Sequence, residues 1–264
     1  MNLIDIGANL THDSFDDDRA DVIERAQKNG VQQIVLTGAS ESGSHKALAL
    51  ARTLPGKLFS TAGIHPHHAA DYSSEVDHKL RSLLSNDAVV AVGECGLDYF
   101  RNFSPRDAQR NAFEGQLTIA ADMQLPVFLH QRNAHNEFVD LLTPRLDSIT
   151  RAVAHCFTGT KAQLETYLNM GLYIGITGWI CDERRGAHLH EIVHLIPDDR
   201  LMLETDAPYL MPRTLSPKPK TRRNEPAYLT EVLRVVAKAR DQSEQEVAIN
   251  TTATAAKFFG IPNI

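Results

Sequence analysis

Four short apolar runs each end on residue types that bind metal ions. Val89 to Val92 leads into Gly93-Glu94-Cys95-Gly96, and Pro126 to Leu129 leads into His130. Ala152 to Ala154 leads into His155-Cys156, and Leu201 to Leu203 leads into Glu204-Thr205-Asp206-Ala207-Pro208. Mixtures of imidazole and carboxylate suit Zn, Mn or Fe, and mostly-oxygen sets suit Mg or Ca. A divalent cation in such a set supplies an activated water and a polarised oxygen, the two needs of phosphate-ester or amide hydrolysis at neutral pH. The reading is that Glu94, His130, His155 and Asp206 meet around a divalent metal. His65, at the end of the run Leu58 to Ile64, is a further candidate. A lone histidine at a strand end is more often a loop or capping residue, but the same layout recurs four times in equivalent places. His67, His68 and His135 are weaker candidates. Cys95 and Cys156 each follow a ligand candidate and are read as small buried hydrophobes. Asp206 suits either ligation or taking the proton of an attacking water, and one carboxylate serves both. Glu204, two residues earlier on a strand, faces the same side and could anchor a ligating histidine from behind.

Elements that bring such distant residues together must converge at one end. Strands are read at Leu3 to Ile6, Gln33 to Thr37, Leu58 to Ile64, Val89 to Gly93, Val127 to His130, Arg151 to His155, Tyr173 to Thr177 and Leu201 to Thr205. Helical spacing follows each: Val22, Ile23 and Ala26 after a Ser14 cap; about 41 to 53; Val76, Leu80, Leu83 and Leu84; and about 105 to 124. It continues with Phe138, Leu141 and Leu142; Leu164, Tyr167 and Leu168; Leu189, Ile192, Val193 and Ile196; and Leu229, Val232, Leu233 and Val236. A last helix runs from about Ser243 to Phe259. Eight strand-helix units predict a closed (β/α)8 barrel with an extra C-terminal helix, and an open doubly wound sheet is the alternative. In a barrel the C-terminal strand ends share one face, where active sites sit. No linker interrupts the alternation, so residues 1–264 read as a single domain.

Composition narrows the class. The chain has 42% hydrophobic and 23% charged residues with a net charge of −6, an ordinary globular balance without a general basic coat. Three cysteines without C-x-x-C spacing fit a reducing compartment. Neither a signal peptide nor a membrane-length apolar run is read, which makes the cytoplasm the expected location.

The motifs Gly63-Ile64-His65-Pro66-His67, Gly93-Glu94-Cys95-Gly96-Leu97-Asp98-Tyr99, Pro126-Val127-Phe128-Leu129-His130, His155-Cys156-Phe157-Thr158-Gly159 and Glu204-Thr205-Asp206-Ala207-Pro208-Tyr209-Leu210 resemble, in order, the TatD family of metal-dependent deoxyribonucleases, within the amidohydrolase-like barrels. Residues 175–186 and Arg222-Arg223-Asn224-Glu225-Pro226 resemble the branch that gives the family its name rather than its paralogues. The resemblance implies Glu94, His130 and His155 as metal ligands, with Asp206 at the metal or acting as base. It implies a 3′-5′ exonuclease on single-stranded DNA and RNA, with Mg²⁺ as the usual cofactor (Mn²⁺ or Zn²⁺ as substitutes), and a part in repair of oxidative DNA damage. A monomer is expected. Many family members carry His-x-His on the first strand. Here that stretch is Asp5-Ile6-Gly7-Ala8-Asn9, so a second metal should bind weakly or not at all. Asn9 is left as a supporting residue behind the ligands.

The loop after strand eight is basic in an otherwise acidic chain. It holds Arg213, Lys218, Lys220, Arg222 and Arg223. Lys218, Arg222 and Arg223, with His65, are read as substrate contacts suited to backbone phosphates. Tyr99, Phe100 and Trp179 could stack on bases, although packing of a loop is the plainer role for Phe100. Two rivals remain. One is an amide or ester hydrolase, such as a deacylase of aminoacyl-tRNA. The other is a binding module without catalysis, against which the intact ligand set speaks.

Overall fold

The structure, a computed structural model, describes residues 1–264. Its strands are β1 (Leu3–Ala8), β2 (Val31–Leu36), β3 (Leu58–Ala62), β4 (Val89–Asp98), β5 (Val127–Arg132), β6 (Ala152–Ala154), β7 (Tyr173–Ile176) and β8 (Leu201–Leu203). The helices are α1 (Arg19–Lys28), α2 (Glu41–Ala51), α3 (Ser74–Leu84), α4 (Arg106–Met123), α5 (His135–Leu142), α6 (Lys161–Asn169), α7 (Ala187–Ile192), α8 (Leu229–Arg240) and α9 (Glu244–Phe259). One sheet holds the strands in the order β1 to β8. A parallel bridge between Ala8 and Ala207 returns the chain beyond β8 to β1. This is the (β/α)8 barrel expected from the alternation, and α9 is its extra helix. No helix is long and apolar enough to cross a membrane.

The chain divides into two compact units. The first comprises Met1–Val35, Cys156–Glu165 and Tyr173–Ile264, and the second comprises Leu36–His155 and Thr166–Leu172. In the second, β3, β4, β5 and β6 pair in parallel. Buried Phe113 of α4 stacks on Phe138 of α5 with ring centroids 5.5 Å apart. In the first, β7 pairs with β8, and α9 lies against β1, β8 and α8. Ser243 opens α9 with a reciprocal cap, its hydroxyl accepting from the Glu246 amide while the Glu246 carboxylate accepts from the Ser243 amide.

Several boundaries differ from the sequence reading, and four of them have a clear local reason. β4 continues past Gly93 to Asp98 because its second half finds β5 as a partner, with Gly96 opposite His130 and Asp98 opposite Arg132. β6 and β8 stop at Ala154 and Leu203, short of His155 and Thr205. The chain then turns through left-handed backbone at Cys156 (φ 47°) and Asp206 (φ 54°), which a strand does not accommodate. The first helix begins at Arg19 rather than after Ser14. Asp13–Phe15 forms a separate 3-10 turn whose cap is His12, with Phe15 buried beneath it.

Candidate metal centre

In the second unit, β3 to β6 set Glu94, His130 and His155 side by side, with His65 just beyond β3. Gln116 of α4 fixes the approach to His65. Its carbonyl accepts from the Ile64 amide at 2.7 Å, and its amide donates to the Ile64 carbonyl at 3.0 Å. Gly93 and Gly96 fix β4 on either side of Glu94. Both have positive φ, 132° and 141°, and a Cβ on either would collide with a carbonyl of β5, that of Phe128 or of His130. Only glycine permits this backbone and this closeness.

The cluster centres on one atom. Glu94 Oε1 lies 2.7 Å from His155 Nε2, 3.0 Å from His130 Nδ1 and 3.4 Å from His65 Nε2. The ligand atoms of His65, Glu94 and His130 all fall within 4.8 Å of one another. Burial alone would raise the Glu94 pKa. The positive charge of His155 and His65, with hydrogen bonds from His130 and His155, overrides this and holds the carboxyl well below its usual range. Burial holds the His65 pKa well below the ordinary imidazole value, although the Glu94 charge pulls the other way. Burial also opposes charge on His130, but Asp98 and Glu94 on its two sides raise its pKa.

The donor chemistry fits a divalent cation. Three imidazole nitrogens around one carboxylate oxygen exceed what that oxygen needs for hydrogen bonding, and a neutral imidazole offers a lone pair to a metal. His130 Nε2 adds a buried nitrogen without a hydrogen bond; Asp98 Oδ2 lies 3.4 Å away but not in bonding geometry.

Asp98 carries a role that the sequence reading did not assign, and it engages His67, the weaker candidate read there as a loop or supporting residue. Asp98 Oδ2 accepts from, or pairs with, His67 Nε2 at 2.9 Å, and burial fails to offset the hydrogen bonds that keep this carboxylate far below its normal pKa. Its Oδ1 accepts from the amides of Phe100 and Arg101 at 3.0 and 2.8 Å. The signal was present in Gly93-Glu94-Cys95-Gly96-Leu97-Asp98, but a strand taken to stop at Gly93 hid it.

In the first unit, Asp206 sits beyond β8 with its amide donating to the Gly7 carbonyl at 2.8 Å. Asn9 clamps it twice, donating from Nδ2 to Asp206 Oδ1 at 3.0 Å and from its backbone to Ala207 at 2.7 Å. Glu204 is fully buried and its Oε1 accepts from the Cys156 amide. Buried Asn224 donates to the carbonyls of Thr205 and Tyr209 at 2.9 and 2.7 Å and so shapes the turn. Asp5, given no role in the sequence reading, accepts from the Thr205 hydroxyl at 2.5 Å and the Thr205 amide at 2.9 Å. Burial pushes its pKa up to about 7 despite those bonds.

The basic loop is not uniform. Lys218 and Arg222 are exposed, whereas Arg223 pairs with Asp18 at 2.7 Å and Glu225 at 3.0 Å and lies over the Phe15 ring. Arg213 pairs with Glu183 at 2.7 Å. Trp179 stacks under Arg185 at 4.4 Å. Tyr99 packs under Arg106 and donates to Glu137 at 2.6 Å, while Phe100 stands out in solvent.

Comparison with known proteins agrees with this architecture. The chain is 50% identical over 259 residues to the 3′-5′ ssDNA/RNA exonuclease TatD of Erwinia tasmaniensis, covering 98% of this chain and 100% of that one. It is 49% identical to the protein of the same name from Salmonella typhimurium, covering 98% and 99%. Among solved structures, a TatD homologue of Escherichia coli K12 superposes with a TM-score of 0.90 at 27% identity, over 98% of both chains. A TatD family hydrolase from Entamoeba histolytica gives 0.89 at 27% identity, again over 98% of both. The TatD related DNase family matches residues 4–260, and this chain belongs to it.

Proposed function

We propose that this protein is a metal-dependent 3′-5′ exonuclease that removes nucleotides from single-stranded DNA and RNA, with Mg²⁺ as its cofactor. The observation that carries the reading is the convergence of His65, His130 and His155 on Glu94 Oε1. Relatives at about half identity over nearly their full length are named for this activity. Glu94, His130 and His155 would hold the ion, with His65 beside them. Bound there, the metal would supply a water of lowered pKa and neutralise charge on the scissile phosphate.

The chain's own groups do the rest. Asp206 is our candidate for a further ligand and for the base that takes the proton of the attacking water. In support, it follows a strand of the same parallel sheet, and the Asn9 hydrogen bond to Oδ1 fixes the orientation of its carboxylate. Glu204 would anchor the turn at Cys156, next to His155. Lys218 and Arg222 carry exposed charge suited to phosphates. We assign Arg223 to holding that loop through Asp18 and Glu225. We read residues 1–264 as one domain, because a single family match runs through both units, and as a monomer of the cytoplasm. A 3′-trimming activity would serve repair of oxidised DNA ends, and peroxide sensitivity of a strain lacking the gene tests that role.

The direct test is a pair of single strands labelled at either end, incubated with Mg²⁺, Mn²⁺, Zn²⁺ or EDTA. Stepwise shortening of the 5′-labelled strand with Mg²⁺, abolished by EDTA, is expected. Release of free amino acid from charged tRNA, with the strands untouched, would favour the amidohydrolase reading instead.

A further inference from the structure

The loop that follows β4 exposes aromatic side chains where burial would be expected. Phe100 is 56% exposed and Phe103 is 66% exposed, although large apolar side chains are normally covered. Both stand within a few residues of Asp98, and each carries a guanidinium. Arg132 lies over the Phe100 ring at 4.0 Å, and Arg101 faces the Phe103 ring at 5.9 Å. The other edge of Phe103 meets His67, ring centroids 4.7 Å apart, and His67 in turn contacts the His65 ring at 4.2 Å. A continuous line of rings therefore runs from the ligand cluster to solvent within one unit.

The loop is also held rigidly. Asp98 Oδ1 caps it through two backbone amides. Ser104 donates to the His67 carbonyl at 3.0 Å and accepts from the Ala70 amide at 3.1 Å. Gln109, buried in α4, donates to the Ser104 carbonyl at 2.9 Å and accepts from the Asp98 amide at 2.8 Å. Rings held out in water on so braced a backbone are preorganised for a planar partner, and flanking arginines select one that carries phosphates. The loop's fixed acid, Asp98, has both oxygens turned inward, so Arg101 and Arg132 keep their charge for the strand.

We propose that Phe103 and Phe100, with Arg101 and Arg132, form a stacking platform for the nucleobases of the single strand whose end enters the metal centre. The inference rests on the nuclease reading above. Phe103, touching His67, takes the base nearest the cluster, and Phe100 takes a base further along. Such a platform grips any base by its face, so it gives affinity without sequence preference. It also requires unstacked bases, which selects single strands over duplex.

The experiment compares a native single strand with one of equal length carrying abasic residues at its last positions, for wild type, F103A, F103Y and F100A. Wild type should bind the native strand with a KM about tenfold lower than the abasic strand, within the range that stacking on one aromatic supplies. F103A should remove most of that difference through KM rather than kcat, F103Y should restore it, and F100A should remove the smaller remainder. Equal KM for native and abasic strands in wild type, or F103A keeping the wild-type ratio, overturns the platform while leaving the nuclease reading intact. A fall in kcat of F103A on both strands alike also overturns it, since the ring would then only prop His67. Wild type that shortens neither strand with any metal removes the nuclease reading itself.

Discussion

Asp5 is a buried carboxylate with no cation beside it, and this has a measurable consequence. Its pKa of about 7 in the folded chain stands against 3.8 for the free side chain, and the main cause is burial. The folded state therefore holds a proton that the unfolded chain releases. Stability from this group is full below pH 4 and is lost as pH rises through 7. The whole shift corresponds to about 4 kcal/mol at 1.36 kcal/mol per pKa unit. Between pH 5 and pH 8 the two titration curves separate by about 2 further units, or roughly 2–3 kcal/mol. Asp5→Asn removes the ionisation and keeps the shape. The assay is urea unfolding of wild type and D5N, both treated with EDTA, at pH 5, 6, 7 and 8. Subtracting D5N cancels other groups, including His65, whose depressed pKa acts in the opposite direction by losing stability as pH falls below 6.5. Wild type should lose roughly 2–3 kcal/mol relative to D5N across that range. A difference that stays flat, or rises with pH, would refute the claim that Asp5 is folded in its protonated form.

Other outcomes follow from the contacts. Arg223→Ala should cost about 1–3 kcal/mol in urea unfolding, because it strips partners from Asp18 and the largely buried Glu225; a change in KM with unaltered stability would return Arg223 to the substrate. Replacing exposed Lys218 and Arg222 together by alanine should raise KM for single strands and flatten the plot of log affinity against log salt by about 1.4, twice the single-strand slope per phosphate contact. Asn9→Ala removes one hydrogen bond that orients the Asp206 carboxylate and should lower kcat about tenfold with little change in KM; an equal rise in KM would point to a substrate contact.

The barrel was legible because its signal is periodic. Eight apolar runs alternating with helical spacing leave few other topologies, and the runs ending on Glu94, His130 and His155 carry the side chains that the structure brings together. What was lost depended on backbone detail. Asp98 was missed because the strand looked finished at Gly93, whereas Gly93 and Gly96 let β4 continue by pressing against β5. Asp5 was missed because a lone aspartate on a strand gives no sign of its partner, Thr205, two hundred residues away. The basic loop misled in a different manner. Charge can be counted from sequence, but whether Arg223 faces solvent or Asp18 depends on tertiary packing. Phe100 was read as loop packing, and the structure leaves it in water.

The central claim is that Glu94 Oε1 and the imidazoles around it form a metal site, and binding measured without substrate tests it most directly. Mn²⁺ titrated calorimetrically into chelator-treated wild type and E94Q, each checked for native unfolding behaviour, isolates the site from catalysis. The account predicts saturable binding to wild type and a loss of at least about 100-fold in affinity for E94Q, or about 2.7 kcal/mol. E94Q that binds Mn²⁺ as tightly as wild type would contradict it.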